Sequence, residues 1–180
     1  KEKARYGAKT IDASFNMPRY IGLNEMVEEL ALKMKLTRFQ GDRINQSNIV
    51  ERLRQTSEKY LSEILGKQGL SYTIWKEIAG PLGDGIQTIL VLGSIFVPDF
   101  GIDVAGKPTL AFCIRHIAPG PLSSYNISAA IGEAVIYSYH YPAVIAFLYL
   151  SDVERDYMRL LDREMTMGLW QTHKVKLVIR

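Results

Sequence analysis

The sequence contains very little cysteine and histidine. Cys113 is the only cysteine among the 180 residues, and there are three histidines. One cysteine cannot form an internal disulfide bond or supply the thiolates of a structural zinc site. Three scattered histidines argue against a histidine-based metal site. We therefore expect a fold held together by its hydrophobic core, in a reducing compartment such as the cytoplasm.

The sequence also lacks an uninterrupted hydrophobic segment of membrane-spanning length. The polar start Lys1–Arg5 has no apolar stretch behind it, so no signal peptide is predicted. The segment Ala134–Ser151 has no Asp, Glu, Lys or Arg and approaches the length that spans a bilayer. Pro142 and several polar side chains interrupt it. It is better explained as a helix followed by a buried strand, and no membrane partner is expected.

Charge is unevenly distributed along an otherwise ordinary composition. Hydrophobic residues make up 47% and charged residues 23% of the chain, which is typical of a globular protein. Residues 1–70 contain 13 Lys and Arg against 9 Asp and Glu, a net charge of 13 − 9 = +4; residues 71–180 contain 9 against 10, a net charge of −1. This asymmetry is typical of proteins that bind an anionic partner such as nucleic acid. A solvated helical surface would produce the same pattern.

Hydrophobic periodicity predicts helices first and a sheet afterwards. A helix over Leu23–Leu36, capped by Asn24, is followed by a second helix from Ser47 to about Leu65. Further strands and helices are predicted at Tyr72–Ile78, Ile89–Val97 and Thr109–His116 (strands), Ser128–Tyr139 (helix), Ala143–Leu150 (strand), Asp152–Met167 (helix, ended by Gly168) and Val175–Ile179 (strand). The apolar run Ile89–Val97 suits a strand covered on both faces. This order predicts an α/β fold: residues 1–45 form a basic helical extension, and residues 46–180 form a mixed β-sheet flanked by helices.

The segment Ile95–His116 carries the chemistry. A strand leads to Pro98-Asp99, a hairpin turns at Ala105–Pro108, and an apolar strand returns. Side chains alternate along a strand, so Ala111, Cys113 and Arg115 share one face of the returning strand.

These residues resemble the PD-(D/E)XK nuclease superfamily, whose fold is called restriction-endonuclease-like and which includes archaeal Holliday-junction resolvases. Pro98-Asp99 is similar to the family's Pro-Asp, and Leu110–His116 is similar to its strand bearing acid-X-Lys. The segment Ala130–Phe147 is similar to its next helix and strand, often written around Gly-Gln-Ala. The resemblance covers roughly residues 50–150. It implies Mg²⁺- or Mn²⁺-dependent hydrolysis of DNA by a homodimer.

The chain departs from the family at two positions. Cys113 stands where the family has an acid, and Arg115 stands where it has lysine. A thiol is a poor ligand for a hard cation such as Mg²⁺. A guanidinium binds phosphate well but cannot act as a general base. The site therefore retains Asp99 and a cation but lacks the second acid.

Three interpretations follow from these departures. In the first, the site is a relic that binds DNA without cutting it. In the second, the second carboxylate has moved, with Glu133 the first candidate and Asp103 the next. In the third, these residues are wrongly aligned with the family's motif and no active site lies here. In the second case Asp99 and Glu133 would hold the metal. The resemblance also implies an acid on the preceding helix, for which Glu58 and Glu63 are the candidates.

We accordingly expect a DNA-binding or DNA-processing protein. One hypothesis is a metal-dependent endonuclease that uses Asp99, a relocated acid and Arg115 as the phosphate-facing cation. The other is an inactive DNA-binding or assembly subunit with the same fold. A scaffold that never meets nucleic acid is a third class compatible with the small basic excess.

Overall fold

The structure is a computed structural model that describes residues 22–39, 44–76, 85–151 and 163–180. Its helices and strands, in chain order, are α1 (Leu23–Leu36), α2 (Gln46–Ile64), a 3₁₀ turn (Gly66–Gln68), β1 (Tyr72–Trp75), β2 (Ile89–Val91), β3 (Ser94–Phe96), β4 (Phe100–Val104), β5 (Lys107–Ile117), α3 (Ser123–Tyr137), β6 (Ala143–Leu150), α4 (Arg163–His173) and β7 (Val175–Ile179).

Five strands form a mixed sheet in the order β1-β4-β5-β6-β7. Strands β1, β4 and β5 pair antiparallel, whereas β5, β6 and β7 are parallel. The long connection from β5 to β6 contains α3, as a parallel crossover requires. Strands β2 and β3 form a separate hairpin. The predicted α/β class, a mixed sheet flanked by helices, is confirmed at this level.

Helices α1 and α2 cover one face of the sheet. The four-residue spacing of Met26, Leu30 and Met34 aligns these side chains along α1, and all three are fully buried. They share a hydrophobic core with alternate residues of the central strands, including Phe112 and Phe147. Helix α1, within the predicted N-terminal extension, therefore packs into the same core as the sheet.

Helix α3 covers the opposite face. Ala111 and Cys113 of β5 lie in a second core with Ala130 and Ala134 of α3. The small side chains on both elements allow the helix to approach the sheet closely. The predicted alternation along β5 is confirmed, because Phe112 and Ile114 belong to the first core. Arg115 follows Cys113 on the α3 side, at the edge of this second core.

The prediction of one buried strand over Ile89–Val97 was wrong. The segment is a hairpin whose two-residue loop is Leu92-Gly93, with φ of 48° and 84°. Positive φ at both loop positions is the geometry of a tight hairpin turn, and glycine adopts it without strain. Leu90, Leu92 and Ile95 are exposed rather than covered.

Other boundaries also differ from the predictions. Gly22 precedes α1 without a side-chain cap, and Asn45, not Ser47, caps α2 by accepting a hydrogen bond from the Asn48 amide. Helix α3 begins at Ser123 instead of Ser128, and α4 continues through Gly168.

Strand β4 was not predicted, because Gly101 and Asp103 interrupt its apolar pattern. A Cβ at position 101 would make an ordinary van der Waals contact with the Tyr141 hydroxyl, at 3.5 Å. The predicted ends of β1 beyond residue 76 and of the helix over 152–162 lie outside the described residues. No helix in the described part of the chain is long and apolar enough to cross a membrane.

Candidate functional site

The site forms where β5 extends beyond its partner β4. The last backbone hydrogen bond on this side of β5 is donated by the Asp99 amide to the Phe112 carbonyl, at 2.9 Å. Beyond it, side chains replace a neighbouring strand. The Asp99 carboxylate accepts from the Ile114 amide at 2.7 Å. The side chain of Gln46 donates from Nε2 to the Ile114 backbone carbonyl at 2.6 Å. Its Oε1 accepts from the His116 backbone amide at 2.8 Å. Both side chains are therefore held in place by the backbone of β5.

Arg115 joins two carboxylates at this edge. Its Nη1 donates to Asp99 Oδ2 at 3.0 Å, and its Nη2 donates to Glu133 Oε2 on α3. Nη1 also donates to the Ile114 carbonyl at 2.7 Å. The side chains are 19% (Asp99), 31% (Arg115) and 26% (Glu133) exposed, so all three are only partly hydrated. We call these three residues the Asp-Arg-Glu cluster.

The surroundings shift the pKa values in the cluster. Burial raises the pKa of Asp99, an effect that the hydrogen bond from Ile114 and the positive charge of Arg115 only partly offset. Burial by itself lowers the pKa of the Arg115 guanidinium, but Cys113 and the two carboxylates outweigh it and the pKa rises. Arg115 therefore stays charged, and the fully ionised cluster has a net charge of −1.

Cys113 lies beneath the cluster and is fully buried. Its Sγ is 3.4 Å from the Ala130 carbonyl oxygen and 3.8 Å from Glu133 Oε2. Burial raises the pKa of the thiol to about 12, so it is neutral at physiological pH. A neutral buried thiol is neither a nucleophile nor a ligand for a hard cation.

A groove of about 340 Å³ runs from Asp99 along the first turns of α2. Glu51 and Arg54 line it from the helix, and Lys76 lines it at the end of β1. Glu51 is the acid of α2 that faces Asp99 across this space. Its hydrogen bond with Arg54, at 2.7 Å, lowers the pKa of Glu51 to about 2, so its charge is compensated.

Three other acids that the sequence proposed lie elsewhere. Glu58 is exposed and pairs with Arg54 at 3.3 Å, and Glu63 is exposed near the end of α2. Neither lines the groove. Asp103, on β4, accepts from the Trp75 indole at 2.9 Å. The structure thus brings Asp99, Cys113, Arg115 and Glu133 together but not these three. The sequence did not identify Glu51, because no local pattern shows that the first turns of α2 lie against β5.

The donor set at the cluster does not fit the divalent cation that the resemblance implies. Both carboxylates are bound to Arg115, and the third neighbour is a neutral thiol. Within residues 22–39, 44–76, 85–151 and 163–180, no group of three or more His, Cys, Asp or Glu side chains is arranged to hold a metal ion. A guanidinium takes the position between the carboxylates that a shared cation would need.

No family model, no curated protein and no solved structure matches the chain.

Proposed function

We propose that this protein binds DNA through a nuclease-like α/β fold and does not cut it, with Arg115 occupying the place between the two carboxylates that a metal ion would otherwise take. The observation that carries the proposal is the bridging of Asp99 and Glu133 by this one guanidinium at the end of the groove. The proposal favours the inactive subunit over the endonuclease among the hypotheses drawn from the sequence.

The sheet topology supports the nuclease-like part of the proposal. Strands β1, β4 and β5 form an antiparallel meander, and α3 then leads to β6, which is parallel to β5. The hairpin, helix and strand that carry the resemblance are consecutive parts of this unit. Asp99 and Arg115, which the resemblance aligns with Asp and Lys of the family's motif, are in direct contact.

The lost acid supports the absence of catalysis. Metal-assisted hydrolysis needs carboxylates free to coordinate the ion and to activate water. Releasing Arg115 would leave its charge partly buried without a partner, which is costly. Cys113 cannot replace the missing carboxylate. Lys76 and Arg54 are the cations of the groove that the phosphates of a DNA strand would meet, and Arg54 is already engaged by Glu51 and Glu58.

Fluorescence anisotropy with a labelled DNA duplex tests binding. We expect affinity to fall as salt rises, with a slope of about −0.9 for each phosphate neutralised. The double variant R54Q/K76Q should bind at least tenfold more weakly. The matched control K59Q/K67Q removes two exposed cations outside the groove and should change affinity by less than twofold. Undetectable binding of the unmodified protein at low salt would reject the DNA-binding proposal.

Plasmid cleavage tests the second candidate, a metal-dependent endonuclease. The convergence of Asp99 and Glu133 on one point is the observation that favours it. We expect no nicking by the unmodified protein in Mg²⁺ or Mn²⁺. Nicking that disappears in Asp99→Ala would establish the endonuclease instead.

Calorimetry with Mn²⁺ tests the alignment with the family's motif. The double variant C113E/R115K should acquire Mn²⁺ binding, because it supplies a carboxylate and removes the bridging guanidinium.

A further inference from the structure

A second cavity lies on the other side of α2 from the groove. Its volume is about 160 Å³, and it is lined by Arg38, Phe39, Ile44, Asn48 and Arg52. It sits close to where the parallel strands end, because Phe39 contacts the Tyr149 ring near the end of β6 with ring centroids 5.2 Å apart. Ligands of α/β proteins commonly bind beyond the carboxyl ends of parallel strands.

The two arginines of this cavity carry charges that no acid neutralises among the described residues. The only polar partner of the Arg52 guanidinium there is the Gln55 side chain, at 3.4 Å. Among the described residues, no carboxylate lines the cavity. This contrasts with Arg54 on the same helix, which two glutamates engage. Two uncompensated guanidinium groups at one cavity favour an anionic ligand.

Packing holds the two arginines near each other. The Thr37 hydroxyl lies 3.1 Å from that of Thr56, and the Thr56 hydroxyl donates to the Arg52 carbonyl at 3.0 Å. The end of α1 is thus joined to α2 one turn beyond Arg52. Phe39 is fixed against the sheet by Tyr149 and by the Arg180 guanidinium, 5.1 Å from its ring centroid. The backbone at Arg38 and Arg52 is therefore held in place on both sides of the cavity.

The size of the cavity restricts the ligand. A volume of about 160 Å³ is well below the 300–1,000 Å³ of drug-sized ligand pockets and is close to that of a cavity that holds benzene. A single tetrahedral oxyanion with its hydrogen-bonding partners fits. The Asn48 side chain, in the first turn of α2, adds a neutral polar group at the positive end of that helix.

We infer that Arg38 and Arg52 form a phosphate-binding site that receives one phosphoryl group. This inference rests on the proposed function where the phosphoryl group belongs to DNA, because α2 then lies between two contacts with the same strand. The groove would hold one part of the backbone and the cavity another. The chemistry is the same for a free phosphate ion, and the test separates the two sources.

Calorimetry with inorganic phosphate and anisotropy with labelled single-stranded oligonucleotides test the inference. The unmodified protein, R38Q/R52Q and the charge-matched K59Q/K67Q are compared, the oligonucleotides with and without a terminal phosphate. We expect R38Q/R52Q to lose at least tenfold in affinity for phosphate and for the oligonucleotides, with the control within twofold. Circular dichroism checks that each variant is folded, and Arg38→Lys with Arg52→Lys should retain partial binding.

The outcomes separate the inference from the proposed function. Equal binding by R38Q/R52Q and the control, with DNA still bound, overturns the phosphate site and leaves the groove proposal intact. Phosphate binding that depends on Arg38 and Arg52, without binding of any DNA, supports the site for a free phosphate and overturns the DNA-binding proposal. Loss of oligonucleotide binding in R38Q/R52Q alone supports both.

Discussion

Asp99 meets two opposing demands at the scale of a single residue. Its carboxylate serves as acceptor for the Ile114 amide and the Arg115 guanidinium, yet it is largely removed from water. Burial costs the ionised form more than these partners return, so its pKa lies above the ordinary value of 3.8. An acid whose pKa is raised on folding stabilises the protein when protonated and destabilises it when ionised.

The pH dependence of stability follows from this sign. The free energy of unfolding of the unmodified protein should decrease as the pH rises from about 3.8 through the higher pKa of native Asp99. Asp99→Asn cannot ionise but keeps an oxygen acceptor for Ile114. Urea unfolding of both proteins at several values from pH 4 to pH 8 should show the difference between them shifting in favour of the variant until the pH passes the native pKa of Asp99, and staying constant above it. A difference that is constant with pH would contradict the raised pKa.

Leu92 is a second residue whose local geometry has a measurable cost. It occupies the left-handed region, with φ of 48°, and its side chain is fully exposed. A leucine there is strained by roughly 1–2 kcal/mol, whereas asparagine tolerates the conformation. Leu92→Asn should raise the free energy of unfolding by about 1 kcal/mol, or the melting temperature by about 2–4 °C. Leu90→Asn, on an exposed strand position of the same hairpin, is the control and should not be stabilising. Equal effects of the two substitutions would assign the gain to surface polarity instead of backbone geometry.

At the scale of secondary-structure elements, Gln46 fastens α2 to the free edge of β5. Its side chain satisfies the Ile114 carbonyl and the His116 amide, which no strand reaches. An unpaired buried backbone group costs about 1–3 kcal/mol. Besides the buried core residues of α2, such as Ile49 and Leu53, this one amide side chain holds the helix against the cluster.

Replacing that amide should loosen both the helix and the strand edge. Gln46→Leu keeps the size of the side chain but removes both hydrogen bonds, and we expect it to lower the free energy of unfolding by about 1–3 kcal/mol. Ser47→Ala, an exposed change in the same turn, should stay within about 0.5 kcal/mol. Hydrogen exchange of the His116 amide should also be faster in Gln46→Leu. Unchanged protection of that amide would show that water replaces the side chain without loss.

For the whole molecule, α1 and the sheet share one hydrophobic core. Leu30 is fully buried in the same core as Phe112 and Phe147, although more than eighty residues separate them in the chain. Such a core predicts that the helical layer and the sheet unfold together.

Leu30→Ala tests this cooperativity. We expect a loss of about 2–5 kcal/mol, because a large buried side chain is removed from a close-packed interior. Leu32→Ala, on the exposed side of the same helix, should cost about 0.5 kcal/mol or less. Tryptophan fluorescence, which senses Trp75 and Trp170, and far-ultraviolet circular dichroism should report one shared transition. Separate transitions would show that α1 unfolds independently of the sheet.

Local sequence patterns were sufficient to predict the elements whose periodicity is strong. Helix α1 and strands β6 and β7 have the predicted bounds, because a helical stripe and a short apolar run each satisfy one local pattern. The same alternation placed Cys113 and Arg115 on one face of β5. Where hydrophobicity and turn chemistry disagreed, as at Leu92-Gly93, the turn decided the structure and the apolar pattern misled the prediction.

The completion of the site, in contrast, depends on contacts between elements that are distant in the chain. Glu133 is eighteen residues from Arg115 in the chain, and their contact exists because the β5–α3–β6 crossover folds the helix back over the strand. Glu51 and Glu58 are seven residues apart on the same side of α2, so the choice between them depends on which turn of the helix lies against β5. The hydrogen bonds of Gln46 place the first turn there. The cavity between Arg38 and Arg52 depends in the same way on how α1 and α2 pack. These contacts join residues far apart in the chain, and local periodicity carries no information about such distances.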